Sequence, residues 1–120
     1  MNKQHITDTV IALAKKLHEA GYRQEIQEGD WYLDRSLMDR LICSDQNLTQ
    51  ENQTKDFIPI PSLIQALDWL NKHSKHGYYV LSLVVEGDHW VCGFGPIVES
   101  APTPLEACLE AMLKVMEKEG

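Results

Sequence analysis

Cysteine is scarce in this sequence and shows no pattern: Cys43, Cys92 and Cys108 are an odd set of three with no C-x-x-C pair among them. That spacing excludes a disulfide framework and a zinc ribbon, and reads as reduced, cytosolic thiols. No apolar run approaches the ~20 residues of a membrane span, and Met1-Asn2-Lys3-Gln4-His5 lacks the apolar core of a secretory signal. The expectation is a cytoplasmic chain with no membrane partner, so Asn47-Leu48-Thr49 and Asn52-Gln53-Thr54 are chance sequons. Positive charge is also short: 11 Lys and Arg against 18 Asp and Glu give a net charge of −7. Arg23, Arg35 and Arg40 are scattered among acids and form no basic stripe, so nucleic acid is not an expected partner. A P-loop, a nucleophile elbow and a Ser-His-Asp pattern are all absent. The only paired acids, Glu28/Asp30 and Glu86/Asp88, straddle turn glycines, which explains them without acid–base chemistry. No catalytic residue, cofactor or metal is therefore expected, and the chain reads as a non-enzyme.

What is present is enough for one core. The 120 residues, 43% hydrophobic and 24% charged, amount to a single domain, 1–120, that needs no metal or disulfide staple. Its organising stretch is Tyr78–Phe94, YYVLSLVVEGDHWVCGF. Two apolar runs flank Glu86-Gly87-Asp88, the pattern of a β-hairpin closed by a short glycine turn. Tyr79, Leu81, Leu83 and Val85 share one face, while Tyr78, Val80 and Val84 share the other with Ser82. Both faces are apolar, which predicts a central hairpin covered by helices on both sides.

The rest of the chain arranges itself around that hairpin. Thr7 to about Ala20 carries Val10, Leu13, Ala14 and Leu17 at helical spacing, with Thr7 as N-cap and Gly21 as stop. Tyr22–Gln27 and Asp30–Asp34 read as a second, weaker hairpin around Glu28-Gly29, and Leu37–Ile42 as a helical turn after Ser36. The polar stretch 44–56 has Leu48 as its only large apolar side chain before Phe57, and reads as a mobile surface loop. Ser62-Leu63-Ile64-Gln65 opens a helix running to about His73. Ile97–Ser100 reads as a short further strand after Gly95-Pro96. Thr103-Pro104-Leu105-Glu106 then starts a final helix that buries Leu105, Cys108, Leu109, Met112, Val115 and Met116, with Glu110 and Lys114 paired outside. The sequence Gly-Tyr, strand, Glu-Gly-Asp, Trp occurs after the first helix and again after the second, which points to a repeated helix–hairpin unit within one sheet.

Two sets of side chains invite a functional reading. His73, His76 and His89, with Asp88 and Cys92 near, are the densest group of metal-ligand types, and they define the alternative of a metal-binding protein or enzyme. Strand alternation argues against it, because His89 and Cys92 point opposite ways, and His73 and His76 suit a helix C-terminus. Cys92 and Cys108 read as packed hydrophobes and Cys43 as the reactive thiol. Among the aromatics, Trp90 and Phe94 read as core, whereas Trp31 and Tyr32 lie on the weaker hairpin, where one of the two faces outward. Those two are the candidate interface for an unidentified protein partner or a homodimer.

The segments IPIPSLIQALDWLNKHSKHGYYVLSL, GDHWVCGF and APTPLEACLEAMLKVM, with Gly-Asp-Trp-Tyr at 29–32, resemble the phage ABA sandwich domain family over most of the chain. The stretch 44–56 departs from that layout. The resemblance implies an α/β/α layered sandwich and a small phage or prophage protein of the host-cell cytoplasm, and it supplies no catalytic residue. Together these readings give an α+β fold of order αββ(loop)αββ(β)α with a mainly antiparallel sheet, in an accessory protein that acts by protein–protein interaction.

Overall fold

The computed structural model describes residues 2–73 and 80–119, so Ser74, Lys75, His76, Gly77, Tyr78 and Tyr79 lie outside the described residues. The protein is α+β, as expected: among the described residues there are three α-helices and six strands, all pairing antiparallel. The strands form two three-stranded sheets and not the single sheet of the expected layered sandwich. The chain divides into two compact units, Met1–Ser62 and Leu63–Gly120, and each is described by itself.

In the first unit, α1 (Asp8–Glu19) begins where expected, with the Thr7 hydroxyl accepting a hydrogen bond from the Val10 amide at 3.1 Å. Val10, Leu13, Ala14 and Leu17 are its buried stripe. The helix ends in a Schellman arrangement, with the Tyr22 amide donating back to the Leu17 carbonyl across Gly21. The sheet has order β2-β1-β3, with β1 Trp31–Asp34, β2 Arg40–Cys43 and β3 Phe57–Ile60, and α1 packs on β3.

Three expectations need correction in this unit. Tyr22–Gln27 is not a strand; its one β contact is an isolated bridge from Ile26 to Leu48. The partner of β1 is instead β2, which lies where a helical turn was expected. Only Arg35–Leu37 is helical, as a 3-10 turn capped by Asp34, and Met38 and Asp39 then reverse the chain in the left-handed region at φ 57° and 60°. The repeat is therefore broken: Glu28-Gly29 closes no hairpin, whereas Glu86-Gly87 does. Apart from these three, the polar stretch 44–56 is hydrogen-bonded to the preceding segment. Ser44 and Asp30, Gly29 and Ser44, and Ile26 and Leu48 are joined through their backbones, and the Gln53 amide donates to the carbonyls of Gln24 and Leu48.

The second unit is a meander, β4 Leu81–Glu86, β5 His89–Phe94 and β6 Ile97–Ala101, in sheet order β4-β5-β6. Both of its turns are two residues long with glycine first, Gly87-Asp88 and Gly95-Pro96, and the glycines sit at φ 63° and 61°. A positive φ at the first central position is the type II′ geometry, whose twist matches that of the flanking strands. α3 (Pro104–Glu119) lies on β5 and β6, and α2 (Leu63–Lys72) packs against α3 and meets β4. Thr103 caps α3 through the Glu106 amide at 3.2 Å, and Leu105, Cys108, Leu109, Met112 and Val115 are buried as expected. On α2 the inward residues are Ala66 and Leu70, while Ile64 faces solvent. Lys114 pairs with Glu117 at 3.8 Å, and no ion pair to Glu110 forms among the described residues.

Candidate functional site

Strand alternation divides the β4–β6 sheet into two chemically different faces. In register, Leu81 is opposite Phe94, Leu83 opposite Cys92 and Val85 opposite Trp90; Phe94 is then opposite Ile97, and Trp90 opposite Ala101. These side chains share the face that α3 covers, and Cys92, Phe94 and Ile97 are buried there. The other face carries Ser82, Val84 and Glu86 of β4, His89, Val91 and Gly93 of β5, and Val98 and Ser100 of β6.

That second face is open. Val84 is 48% and Val98 66% exposed, and Val80 at the approach to β4 is 78% exposed. This overturns the expectation of a hairpin covered by helices on both sides. The physical reason is helix supply: within this unit, among the described residues, α2 and α3 pack on one another beside the helix-covered face, which leaves no helix of the unit for the other face. The side chains of the open face are small. Ser82 stands opposite Gly93, and a Cβ on Gly93 would come within 2.7 Å of the Ser82 oxygen, so the middle of the face is low and flat. A glycine inside a strand commonly marks where another backbone or surface approaches closely. Strands about 4.8 Å apart and a rise of about 3.4 Å per residue make the whole face roughly 250 Å², somewhat below the roughly 300–600 Å² of the largest apolar patch on a typical soluble monomer.

The residues singled out from sequence are elsewhere. Tyr32 is 9% exposed and its ring lies 4.7 Å from that of Phe57; burial, with Asp34 and Asp45 nearby, pushes its phenol above the ordinary range. Trp31 is half-buried, opposite Ile60 and Cys43 in the sheet register. Of the pair, Trp31 is the more exposed and Tyr32 the buried one.

The proposed metal ligands are not brought together where they are described. The His73 ring stacks on Trp69 with centroids 3.7 Å apart, and its Nδ1 is 2.8 Å from the Trp69 carbonyl oxygen. The His89 Nδ1 is 3.1 Å from Asp88 Oδ1 at the turn, on the open side of β5. The His89 contact, chiefly its hydrogen bond, holds the Asp88 carboxyl below its usual range. Cys92 faces the opposite way, into the helix-covered core, where it is buried; the neighbouring Cys92, followed by burial, pushes the Cys108 thiol up. His76 lies outside the described residues. Among the described residues no group of three or more His, Cys, Asp or Glu side chains is placed to hold a metal ion, and no helix is long and apolar enough to cross a membrane.

Sequence reasoning therefore missed Val84 and Val98 as surface residues. No protein-family model, curated protein or solved structure matches the chain.

Proposed function

We propose that this chain is a protein-interaction module and that the open face of the β4–β6 sheet is its binding surface. The observation that carries the reading is the exposure of Val84 and Val98 on one flat apolar face. Covering the exposed half to two-thirds of each valine is worth about 1 kcal/mol apiece, which a partner surface recovers. The polar rim of Glu86, His89 and Ser100 fits an interface that opens and closes reversibly, since such interfaces combine an apolar centre with a solvated edge. The phage or prophage setting and the host cytoplasm belong to this proposal through the sequence resemblance.

The test is a photo-crosslinking residue in place of Val98, with the same residue in place of Glu117 as a surface control. The module reading expects discrete protein adducts from position 98 in cells, absent from position 117 and lost when Val84→Lys is added. Equal labelling from both positions, or adducts insensitive to Val84→Lys, would refute it.

A further inference from the structure

β4 is an edge strand whose two faces are both incompletely covered. Val84 on the open side and Val85 on the helix side are 48% and 58% exposed, and Leu81 and Leu83 are only half-buried because α3 lies over β5 and β6. Natural edge strands are blunted by lysine, proline, bulges or inward charges. Leu81–Glu86 has none of these, and its one charge, Glu86, sits at its end. Among the described residues, its ladder runs to β5 alone.

The turn fixes which backbone groups are free. Glu86 and His89 close a two-residue hairpin, so they form a hydrogen-bonded pair, and alternation makes Val84 and Ser82 the next residues bonded to β5. The amides and carbonyls of Leu81, Leu83 and Val85 therefore project from the free edge, and they are arranged symmetrically about Leu83.

We infer that the occupant of this edge is a second copy of the same chain, with the two β4 strands antiparallel about a two-fold axis through Leu83. The inference rests on reading this sheet as a protein-interaction element. In that register Leu83 meets Leu83 of the second copy and Leu81 meets its Val85, which satisfies every outward group with about six hydrogen bonds. Side-chain chemistry agrees on both faces. Leu81, Leu83 and Val85 continue the helix-covered core across the junction, while Ser82 meets Val84 of the second copy on the open side. Each Glu86 lies opposite the second copy's Val80, so the two carboxylates sit at opposite ends and do not repel. Pairing of this kind gives a six-stranded sheet and doubles the open face to roughly 500 Å². The contact of one strand edge is smaller than the roughly 800 Å² per partner of a stable complex, so the dimer expected is a weak one, with a Kd below about 0.5 mM.

The experiment uses the full chain carrying Cys43→Ser, because Cys43 is the exposed thiol. Chains with Ser82→Cys and with Val84→Cys are mixed in a glutathione redox buffer, whose disulfide form takes up the two electrons and two protons of each new S–S bond. Directly opposite residues of a non-hydrogen-bonded pair have Cα atoms about 4.5 Å apart, within disulfide range. The pairing expects the mixed 82–84 disulfide to exceed either self-disulfide about tenfold, and Val85→Lys to abolish the excess while leaving the fold intact. A statistical mixture of disulfides, or a strict monomer by sedimentation up to about 0.5 mM, overturns it. The two readings fail separately. Crosslinks from position 98 without 82–84 enrichment leave the open face standing and remove the edge pairing; 82–84 enrichment without such crosslinks does the reverse.

Discussion

Replacing Met38 by glycine should stabilise the first unit, and the sign of that effect decides between two descriptions of residues 35–42. Met38 sits at φ 57° and ψ 46° and is 95% exposed, so its side chain contributes conformational cost and no packing. A β-carbon in the left-handed region costs roughly 1–2 kcal/mol, and glycine returns part of that as extra freedom of the unfolded chain, about 0.5–1 kcal/mol. The net expectation is a stabilisation of about 0.5–1 kcal/mol, or about 4 °C in Tm for a unit of this size. Met38→Ala keeps the strained conformation and should change stability little. Had Leu37–Ile42 formed a helical turn, the glycine would instead cost up to about 1 kcal/mol. Urea and thermal melts of the three proteins measure this, with Tyr22 and Trp31 as reporters in the same unit. A destabilised glycine variant would refute the strained reversal and, with it, the pairing of β1 with β2.

Other consequences follow from single contacts. Thr103→Ala removes the oxygen that receives the Glu106 amide and should destabilise the protein by about 1 kcal/mol, read by chemical denaturation, with Thr103→Ser restoring most of it. Thiol titration of the native protein should show one fast group, Cys43, with Cys92 and Cys108 reacting only on unfolding; three equal rates would contradict the buried pair. Burial, followed by Arg23 and Arg35, holds the His18 pKa below the ordinary 6.5, so protonation is resisted in the folded state. Stability is then full above pH 6.5 and falls as pH drops from there through the folded-state pKa, a slope that His18→Gln should flatten. An NMR titration midpoint at or above 6.5 would remove that argument.

Much of the fold was legible because local and tertiary preferences agree. Thr7 and Thr103 cap the helices they should, Gly21 ends the first, and Glu86-Gly87-Asp88 closes the hairpin it announces. β2 was not legible. Leu37, Met38, Leu41 and Ile42 have helical spacing, and two consecutive non-glycine residues in the left-handed region carry no sequence signal. The 44–56 stretch looked unanchored because its bonds are polar and non-local: Glu28 donates to Asn47, and Gln53 to Gln24. The open face was hidden for a different reason. Alternation tells which valines share a face, but covering that face depends on where the helices pack, which no strand pattern encodes.

The proposed binding surface depends on β4–β6 having one face covered by α3 and the other open to water. Methyl NMR of the dilute protein with a soluble gadolinium chelate reads that contrast directly. Val84 and Val98 methyls should broaden strongly, while those of Leu109 and Met112, both fully buried against the other face, should keep their intensity. Protection of Val84 and Val98 equal to that of Leu109 would contradict the open face and everything proposed from it.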